Sequence, residues 1–375
     1  MGSDAPHGRL GFVLPAPQDP HLSALDLVDL GKLAEASGYD DVFTPEGMGY
    51  EAMSLLGAIA VSTRRVRIGT AITGQPLRSP ALTAMGSVTL DLLSEGRFVL
   101  GLGIGHRTIV ETWHGIPFTP ERARLREYVE LVREISTGHE IAHEGEHYRC
   151  SGPGLLMRPY RPNLPVYLAT LAFSSMELAG EIADGLFGSY TPLAYLEEGV
   201  ARARRAAEAA GRDPDAFEAC CFVHVQVTDS PAEAREVARA RVAWRANLAN
   251  YNKVFARAGF AQEAAALQQA WADAAREHAE REPDQSGGDY HLASWGRATP
   301  ELAALVSDGL LEESYVIGDA SYCRARVSEM SRRGITPLIC PQGEYPDRAT
   351  ALEGHSQTVR ALAPTGARAA PAAGV

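Results

Sequence analysis

The chain has 375 residues, of which 45% are hydrophobic and 22% are charged, as in ordinary globular proteins. Its formal charge of −12 argues against a nucleic-acid-binding protein, and no basic run opposes that conclusion. No stretch has the length and apolarity of a membrane span, the first residues lack an apolar signal region, and the five cysteines form no C-x-x-C pair. We therefore expect a cytoplasmic protein with no metal site, membrane contact or nucleic-acid partner.

Strand-like and helix-like segments alternate along almost the whole chain. Short apolar runs predict buried strands, and apolar residues at helical spacing predict helices. The predicted strands cover residues 10–14, 41–46, 65–73, 98–103, 166–171, 185–190, 220–227 and 337–340. The predicted helices cover residues 22–37, 52–61, 81–93, 121–136, 175–182, 193–210 and 322–333. This alternation predicts an α/β protein with a (β/α)8 TIM barrel, and a doubly wound open sheet is the alternative.

Two segments do not fit the alternation. Residues 141–150 predict a small hairpin or loop. Residues 231–309 are too long for an ordinary connection and rich in Ala, Arg and Glu, so we expect a helical insertion between the seventh and eighth strands. It would cover the barrel mouth or form a subunit contact, with a flexible break at 284–289. We assign residues 1–362 to one domain and predict a disordered tail over 363–375.

A glycine-rich run ends the fourth predicted strand. Gly101, Gly103 and Gly105 alternate with apolar residues and are followed by His106. The spacing differs from the G-x-G-x-x-G fingerprint of dinucleotide-binding proteins, and the residues that follow do not open a long helix. At the end of a barrel strand, such glycines let a ligand approach the backbone closely. The alternative is that they only allow the strand end to pack tightly.

Candidate functional side chains follow other strands at the same end of the predicted barrel. Glu46, after the second strand, is a candidate acid or base; the alternative is a capping or salt-bridged carboxylate. His106 is a candidate proton donor or ligand of a flavin-like ring; the alternative is a histidine satisfied by backbone carbonyls. Ser174 and Ser175 open a predicted helix and are candidates for binding an anion, or an ordinary helix cap.

Several other residues are weaker candidates. Trp113, in the loop after the fourth strand, either lines the pocket or packs on the next helix, and packing is favoured. His143 and His147 have the spacing of metal ligands on a helix, but they lie in a segment without helical character, so no zinc site is expected. Arg78 and Arg107 are among the arginines that could meet an anionic group, although most arginines are solvated.

One segment carries a specific family resemblance. The sequence TLDLLSEGRFVLGLG at residues 89–103 resembles the TLD-LS-GR--LGLG signature of the bacterial-luciferase-like oxidoreductases. The sequence WHGIPF at 113–118, followed by residues 122–128, resembles the branch that uses the deazaflavin coenzyme F420. Residues 66–73, 181–185 and 316–319 also fall where family motifs are expected. The resemblance extends over residues 9–341.

The resemblance implies a TIM barrel with an insertion before the eighth strand and a bound F420, with FMN as the alternative cofactor. It also implies a homodimer, and a non-prolyl cis peptide at Thr73-Gly74 or its neighbour. The glycine-rich loop with His106 would meet the ring and the substrate, and the start of the helix at Ser174 would bind phosphate. The expected cofactor-binding residues are Thr73, Gly74, Gly103, Gly105, His106, Thr170, Ser174 and Ser175.

The chain departs from its relatives at two positions. Gly47 follows Glu46 where relatives often carry a histidine, so a histidine-dependent step there is lost or moved to His106. Phe173-Ser174 replaces the usual Gly-Pro-like turn before the phosphate-binding helix. The sequence therefore predicts an oxidoreductase that moves a hydride between F420 and a small organic substrate, with His106 and Glu46 as the proton-transfer candidates. A reduced-FMN monooxygenase and a non-catalytic small-molecule-binding barrel are the alternatives.

Overall fold

The computed structural model describes residues 8–15, 19–281 and 298–364. The predicted flexible break at 284–289, and all of the predicted tail except residues 363 and 364, lie outside the described residues.

Eight parallel strands close into a barrel, as predicted. The strands of the structure are β1 (Gly11–Val13), β2 (Asp41–Thr44), β3 (Arg67–Thr70), β4 (Thr73–Gly74), β5 (Phe98–Gly103), β6 (Ile141–Glu144), β7 (Arg149–Gly152), β8 (Val166–Ala169), β9 (Gly185–Ser189), β10 (Glu218–Val227), β11 (Tyr315–Gly318) and β12 (Thr336–Pro341). The order around the barrel is β12-β1-β2-β3-β5-β8-β9-β10. Strand β10 pairs with both β9 and β12, which closes the barrel and makes the open-sheet alternative wrong.

Helices follow the barrel strands. They are α1 (Ala24–Ala36), α2 (Ala52–Ser62), α3 (Pro80–Leu93), α4 (Arg122–Ser136), α5 (Phe173–Ile182), α6 (Leu193–Ala209), α7 (Pro231–Ala246), α8 (Ala249–Phe255), α9 (Ala261–Arg281), α10 (Pro300–Ala303), α11 (Asp308–Ser314), α12 (Ala320–Arg332) and α13 (Arg348–Ala361). Ser23 and Asp26 form a capping box at the start of α1. Ser79 caps α3, whose first residue is Pro80.

Alternate side chains of the strands point into the barrel or outward against the helices. Val13, Phe43, Val99 and Phe187 belong to the cluster that fills the barrel interior. Their neighbours along the strands pack in the larger cluster between sheet and helices. The interior is therefore a packed core, and a ligand site has to lie at one end of it.

The segment between β10 and β11 contains helices α7 to α11 within its described residues. Trp244, Phe255 and Trp271 belong to a second hydrophobic cluster formed there, which also includes Tyr190, just after β9, and Tyr315, on β11. These shared residues place the described helices over the carboxyl ends of β9 and β10. Strand β11, which follows α11 and pairs with the end of β10, was not among the predicted strands.

The predicted hairpin at 141–150 is present as the antiparallel pair β6–β7. The buried carboxylate of Glu127 accepts hydrogen bonds from the backbone N–H groups of His147 (2.9 Å) and Tyr148 (2.7 Å), and it lies 3.2 Å from Nε2 of His143. Glu127 therefore holds the turn of the hairpin against α4. Among the described residues there is no group of three or more His, Cys, Asp or Glu side chains arranged to hold a metal ion. In the same part of the chain, no helix has the length and apolarity needed to cross a membrane.

Candidate functional site

Glu46 lies two residues after β2, and its side chain is 9% exposed. One carboxylate oxygen accepts a hydrogen bond from the hydroxyl of Thr73, and the other lies 2.9 Å from the guanidinium of Arg78. The salt-bridged alternative for Glu46 is therefore what the structure shows. The ion pair also fixes the orientation of the carboxylate at the barrel end.

Arg78 joins Glu46 to the surrounding elements. Its guanidinium also contacts the carboxylate of Glu51, which caps α2. Its backbone carbonyl accepts a hydrogen bond from the hydroxyl of Tyr128, at 3.1 Å, and that hydroxyl lies 2.5 Å from the hydroxyl of Thr83. Sequence reasoning ranked Arg78 low because these partners come from helices α2, α3 and α4, whose approach to one another the sequence did not reveal.

Strand β4 and the end of β5 lie side by side at the barrel mouth. Thr73 and Gly74 pair with Leu102 and Gly103, so three expected site positions, Thr73, Gly74 and Gly103, are adjacent in the structure. We call this surface, with its two glycines, the glycine floor. A methyl group at Gly103 would lie 2.9 Å from Cδ1 of Ile72 and 3.4 Å from Cβ of Ala169, so the absent side chain lets these apolar groups pack against the end of β5.

The two other glycines of the run have different roles. A side chain at Gly101 would overlap the backbone of Thr70, so this glycine serves the close packing of β3 and β5. Gly105 has a φ of +75° and turns the chain out of the strand. The cis peptide lies between Ala71 and Ile72, so the expected position at Thr73-Gly74 or its neighbour was wrong.

His106 follows Gly105 and is half-buried. Its carbonyl accepts a hydrogen bond from the N–H of Val110 at 2.9 Å, which leads into a π-helical turn over Ile109–Trp113. The side chain of Trp113 is 62% exposed, so the packing alternative favoured for it was wrong. His106 therefore lies between the glycine floor and a short loop with an exposed aromatic ring.

Thr170 follows β8 and is 4% exposed. Its N–H donates to the carbonyl of Phe187 at 3.1 Å, but its hydroxyl has no hydrogen-bond partner among the described residues. A buried hydroxyl without a partner costs stability, which is the pattern expected when a ligand supplies the missing bond.

Helix α5 begins at Phe173 and follows β8, the barrel strand that pairs with β5. Its cap residue is Ala172, and no side chain caps its first turn, so the ordinary-cap alternative for Ser174 and Ser175 was wrong. Ser174 is exposed, and its carbonyl lies 3.4 Å from the guanidinium of Arg122. The combination of an uncapped helix start and a nearby cation favours an anion there.

A cavity of about 350 Å³ lies beside this helix start. Phe173, Tyr195 and Arg257 are among its lining residues. The rings of Phe173 and Tyr195 stack with their centres 4.2 Å apart. None of the expected site residues lines this cavity, which lies between the starts of α5 and α6 and the segment that joins α8 to α9.

Comparison with known proteins places this geometry in a family. The sequence profile of the luciferase-like monooxygenases matches residues 9–337. A protein of Mycobacterium tuberculosis with the provisional name coenzyme F420-dependent oxidoreductase is 29% identical over 342 residues, which cover 84% of this chain and 90% of that protein. The 5,10-methylenetetrahydromethanopterin reductase of Archaeoglobus fulgidus is 26% identical over 335 residues, with 89% and 94% covered.

Solved structures show the same fold. The coenzyme F420-dependent tetrahydromethanopterin reductase of Methanopyrus kandleri superimposes with a TM-score of 0.71 at 22% identity, over 94% of this chain and 98% of that one. An FMN-bound Baeyer–Villiger monooxygenase component of Pseudomonas putida superimposes with a TM-score of 0.61 at 17% identity, over 96% and 99%. With the profile match over most of its length, this chain belongs to the luciferase-like monooxygenase family of oxidoreductases.

Proposed function

We propose that this chain catalyses hydride transfer between coenzyme F420 and a small organic substrate. The names of the most similar relatives support F420, because they include an F420-dependent oxidoreductase and F420-dependent glucose-6-phosphate dehydrogenases. The single structural observation that carries the proposal is the glycine floor between Glu46 and Thr170. It combines an apolar surface for a flat ring with polar groups at two of its edges.

The residues present fit such a group. The side chains of Ile72 and Ala169 pack beside Gly103 and offer an apolar surface, and the unpartnered hydroxyl of Thr170 can bond to a polar ring edge. The uncapped start of α5, with Ser174 and Ser175, suits a phosphate. Thr73 binds Glu46 through its hydroxyl, so its contribution to the cofactor site would come from its backbone or methyl group.

The deazaflavin, when bound, supplies the hydride-transfer chemistry, and the protein supplies orientation and proton transfer. His106 is the candidate that holds or delivers the matching proton, because it is half-buried beside the floor and a histidine ordinarily titrates near neutral pH. Glu46 is held in place by Arg78 and Thr73. We therefore assign proton transfer to His106 first, and to Glu46 a role in orienting the site or accepting a proton.

Titration of the apoprotein with F420 and with FMN tests the proposal. F420 should bind, and its fluorescence should change as it is bound by the protein. Gly103→Val, which adds a side chain to the floor, should weaken binding by at least about tenfold. The matched control is Gly57→Ala on α2, where an added methyl group meets nothing within 4 Å. Binding of FMN alone would favour the monooxygenase alternative, and binding of neither would contradict the proposal.

We propose further that the chain forms a homodimer through α3. Leu82, Met85 and Leu93 on this helix are 49%, 46% and 45% exposed, and such a row of exposed apolar side chains is typical of an interface. Sedimentation should give a dimer for the native chain and a monomer for Met85→Glu, whereas a monomeric native chain would contradict this. The cytoplasmic location stays a prediction from the sequence.

A further inference from the structure

His224 is a buried histidine on β10 that the proposed chemistry does not use. It is 5% exposed, and neither ring nitrogen has a hydrogen-bond partner among the described residues. Cys220 and Phe222, four and two residues earlier on the same strand, belong to the barrel-interior cluster. By strand alternation, His224 points to the same side, nearer the carboxyl end. An imidazole buried in this way costs stability unless it has a ligand to bond.

Two arginines on α7 lie beside this histidine. Arg241 and Arg245 are four residues apart, so they project from the same face of the helix. Arg241 donates to the side-chain oxygen of Gln342, just after β12, at 2.7 Å. Arg245 lies over the ring of Tyr190, just after β9, at 4.6 Å. Helix α7 thus places two guanidinium groups above the strand ends on both sides of β10.

The two arginines differ in how their charge is balanced. Arg241 has Glu344 at 3.8 Å. Arg245 is half-buried and makes no ion pair with any described carboxylate, and its Nε has no hydrogen-bond partner there. Its guanidinium lies over the rings of Tyr190, Trp244 and Tyr251, at 4.6, 5.2 and 4.9 Å. Aromatic rings stabilise a cation, but they do not replace a counter-ion.

The backbone beside this cluster is also unusual. Tyr190 has a φ of +50°, a left-handed conformation that tyrosine rarely adopts. Its ring centre lies 4.1 Å from that of His224, and its hydroxyl lies 2.9 Å from the hydroxyl of Tyr315. Backbone strain of this kind is most often retained at ligand sites. The surrounding structure therefore holds the Tyr190 ring in place against His224.

We propose that His224 and Arg245 bind a carboxylate group of the substrate. One uncompensated cation matches one negative charge, which favours a carboxylate over a doubly charged phosphate. A guanidinium can bond both carboxylate oxygens, and a neutral imidazole can donate one further hydrogen bond. The apolar rings around them exclude water and strengthen these bonds.

This site rests on the proposed function and names its substrate class. Around the barrel, β10 lies four strands from β3 in either direction, so it faces the strand that leads into the glycine floor. A substrate anchored by its carboxylate at His224 and Arg245 would extend across the mouth toward the floor and His106. The substrate is then an organic acid whose hydride-donating or hydride-accepting group lies at the far end from its carboxylate.

Calorimetric titration with sodium benzoate tests the site, in the apoprotein and in the presence of oxidised F420. Benzoate should bind to the native chain, Arg245→Met should weaken it by at least about tenfold, and His224→Leu by several-fold. The matched control is Arg235→Gln on the same helix, because Arg235 has carboxylate partners at 2.7 Å in Asp308 and 3.4 Å in Glu312. This control should leave benzoate affinity unchanged. The melting midpoint of each variant confirms that it is folded.

Three results would overturn the inference. The first is that the native chain fails to bind benzoate. The second is that Arg245→Met and His224→Leu both bind benzoate as tightly as the native chain does. The third is that the native chain binds uncharged benzamide as tightly as benzoate. Inorganic phosphate binding more tightly than benzoate would overturn the carboxylate assignment. F420 titration of the same proteins separates the two proposals. Arg245-dependent benzoate binding without F420 binding contradicts the proposed function alone, whereas F420 binding without benzoate binding contradicts this site alone.

Discussion

The guanidinium of Arg78 lies 2.9 Å from the carboxylate of Glu46, and the two side chains are only 16% and 9% exposed. This pair occupies the barrel end where the second strand meets the glycine floor. The residue after Glu46 is Gly47, which has no side chain. The ion pair therefore fixes the carboxylate without help from a neighbouring ring.

Replacing Arg78 with methionine should destabilise the protein, because Glu46 would keep a mostly buried charge without its counter-ion. We expect a loss of about 1–3 kcal/mol in the free energy of unfolding, measured by denaturant titration. Lys32→Met is the control. Lys32 forms a pair with Asp29 at 2.9 Å in which both side chains are more than half exposed, so its loss should change stability by less than about 0.5 kcal/mol. Equal losses of stability in the two variants would show that the Arg78–Glu46 pair stabilises the fold no more than an exposed ion pair does.

Replacing His106 with asparagine should slow turnover without removing the cofactor. If His106 transfers a proton, kcat should fall by about 10²–10⁴-fold, while F420 affinity should change by only a few-fold. His114, an exposed histidine in the same loop, provides the matched control. His114→Asn should leave kcat within about twofold of the native value. Native turnover in His106→Asn would exclude His106 as the proton-transfer residue.

Replacing Gly105 with alanine should destabilise the chain and displace His106. The φ of +75° disfavours any side chain, and the added methyl would lie 2.9 Å from Cγ2 of Val110. We expect a loss of more than about 1 kcal/mol, together with weaker F420 binding. Gly57→Ala, in the interior of α2 with open space around it, should instead stabilise by about 0.5–1 kcal/mol. Thermal melting of both variants is the measurement. A lower melting midpoint for Gly105→Ala alone indicates strain at Gly105, whereas lower midpoints for both variants would contradict this explanation.

The barrel strands could be predicted because burial on both faces leaves a direct mark on composition. The run Phe98–Gly103 is apolar at every position except its glycines, and all six of its residues are buried. Strand β11 carries that mark over only four residues, three of them buried, and it pairs only with β10 among the strands of the structure. A short strand that completes a sheet locally is stabilised by its partners rather than by its own pattern.

The candidate site was predicted in part, for a similar reason. Glu46, Gly103 and His106 follow strands, so the barrel geometry alone assigns them to one end. Arg78 was predicted only as one of several arginines that could meet an anionic group, and His224 was not a candidate, because the importance of each depends on which groups lie beside it. Nothing in a single sequence indicates that Arg78 would meet Glu46. Nor does it show that the two ring nitrogens of His224 would be buried without partners.

His224 also provides a prediction about acid stability. Burial, together with the charges of Arg245 and Arg241, lowers the pKa of His224 to about 3. Tyr190 and Tyr315 are the other titratable side chains packed against its ring. In the unfolded chain the same imidazole takes up its proton near pH 6.5. The native state therefore binds fewer protons than the unfolded state throughout the interval between these two values.

His224→Leu should consequently change how stability depends on pH. From this one group, the free energy of unfolding of the native chain should fall by up to about 1.4 kcal/mol for each pH unit below about 6.5, and the variant should lack that contribution. At neutral pH the variant should be at least as stable as the native chain, because it removes two buried nitrogens that have no partner. Denaturant titrations at about pH 7 and about pH 5 measure the difference, which should grow by about 2 kcal/mol in favour of the variant at the lower pH. His114→Asn should show the native dependence, since His114 is exposed. A variant less stable than the native chain at both pH values would mean that His224 is bonded in the folded state, and the carboxylate site would then lose its main support.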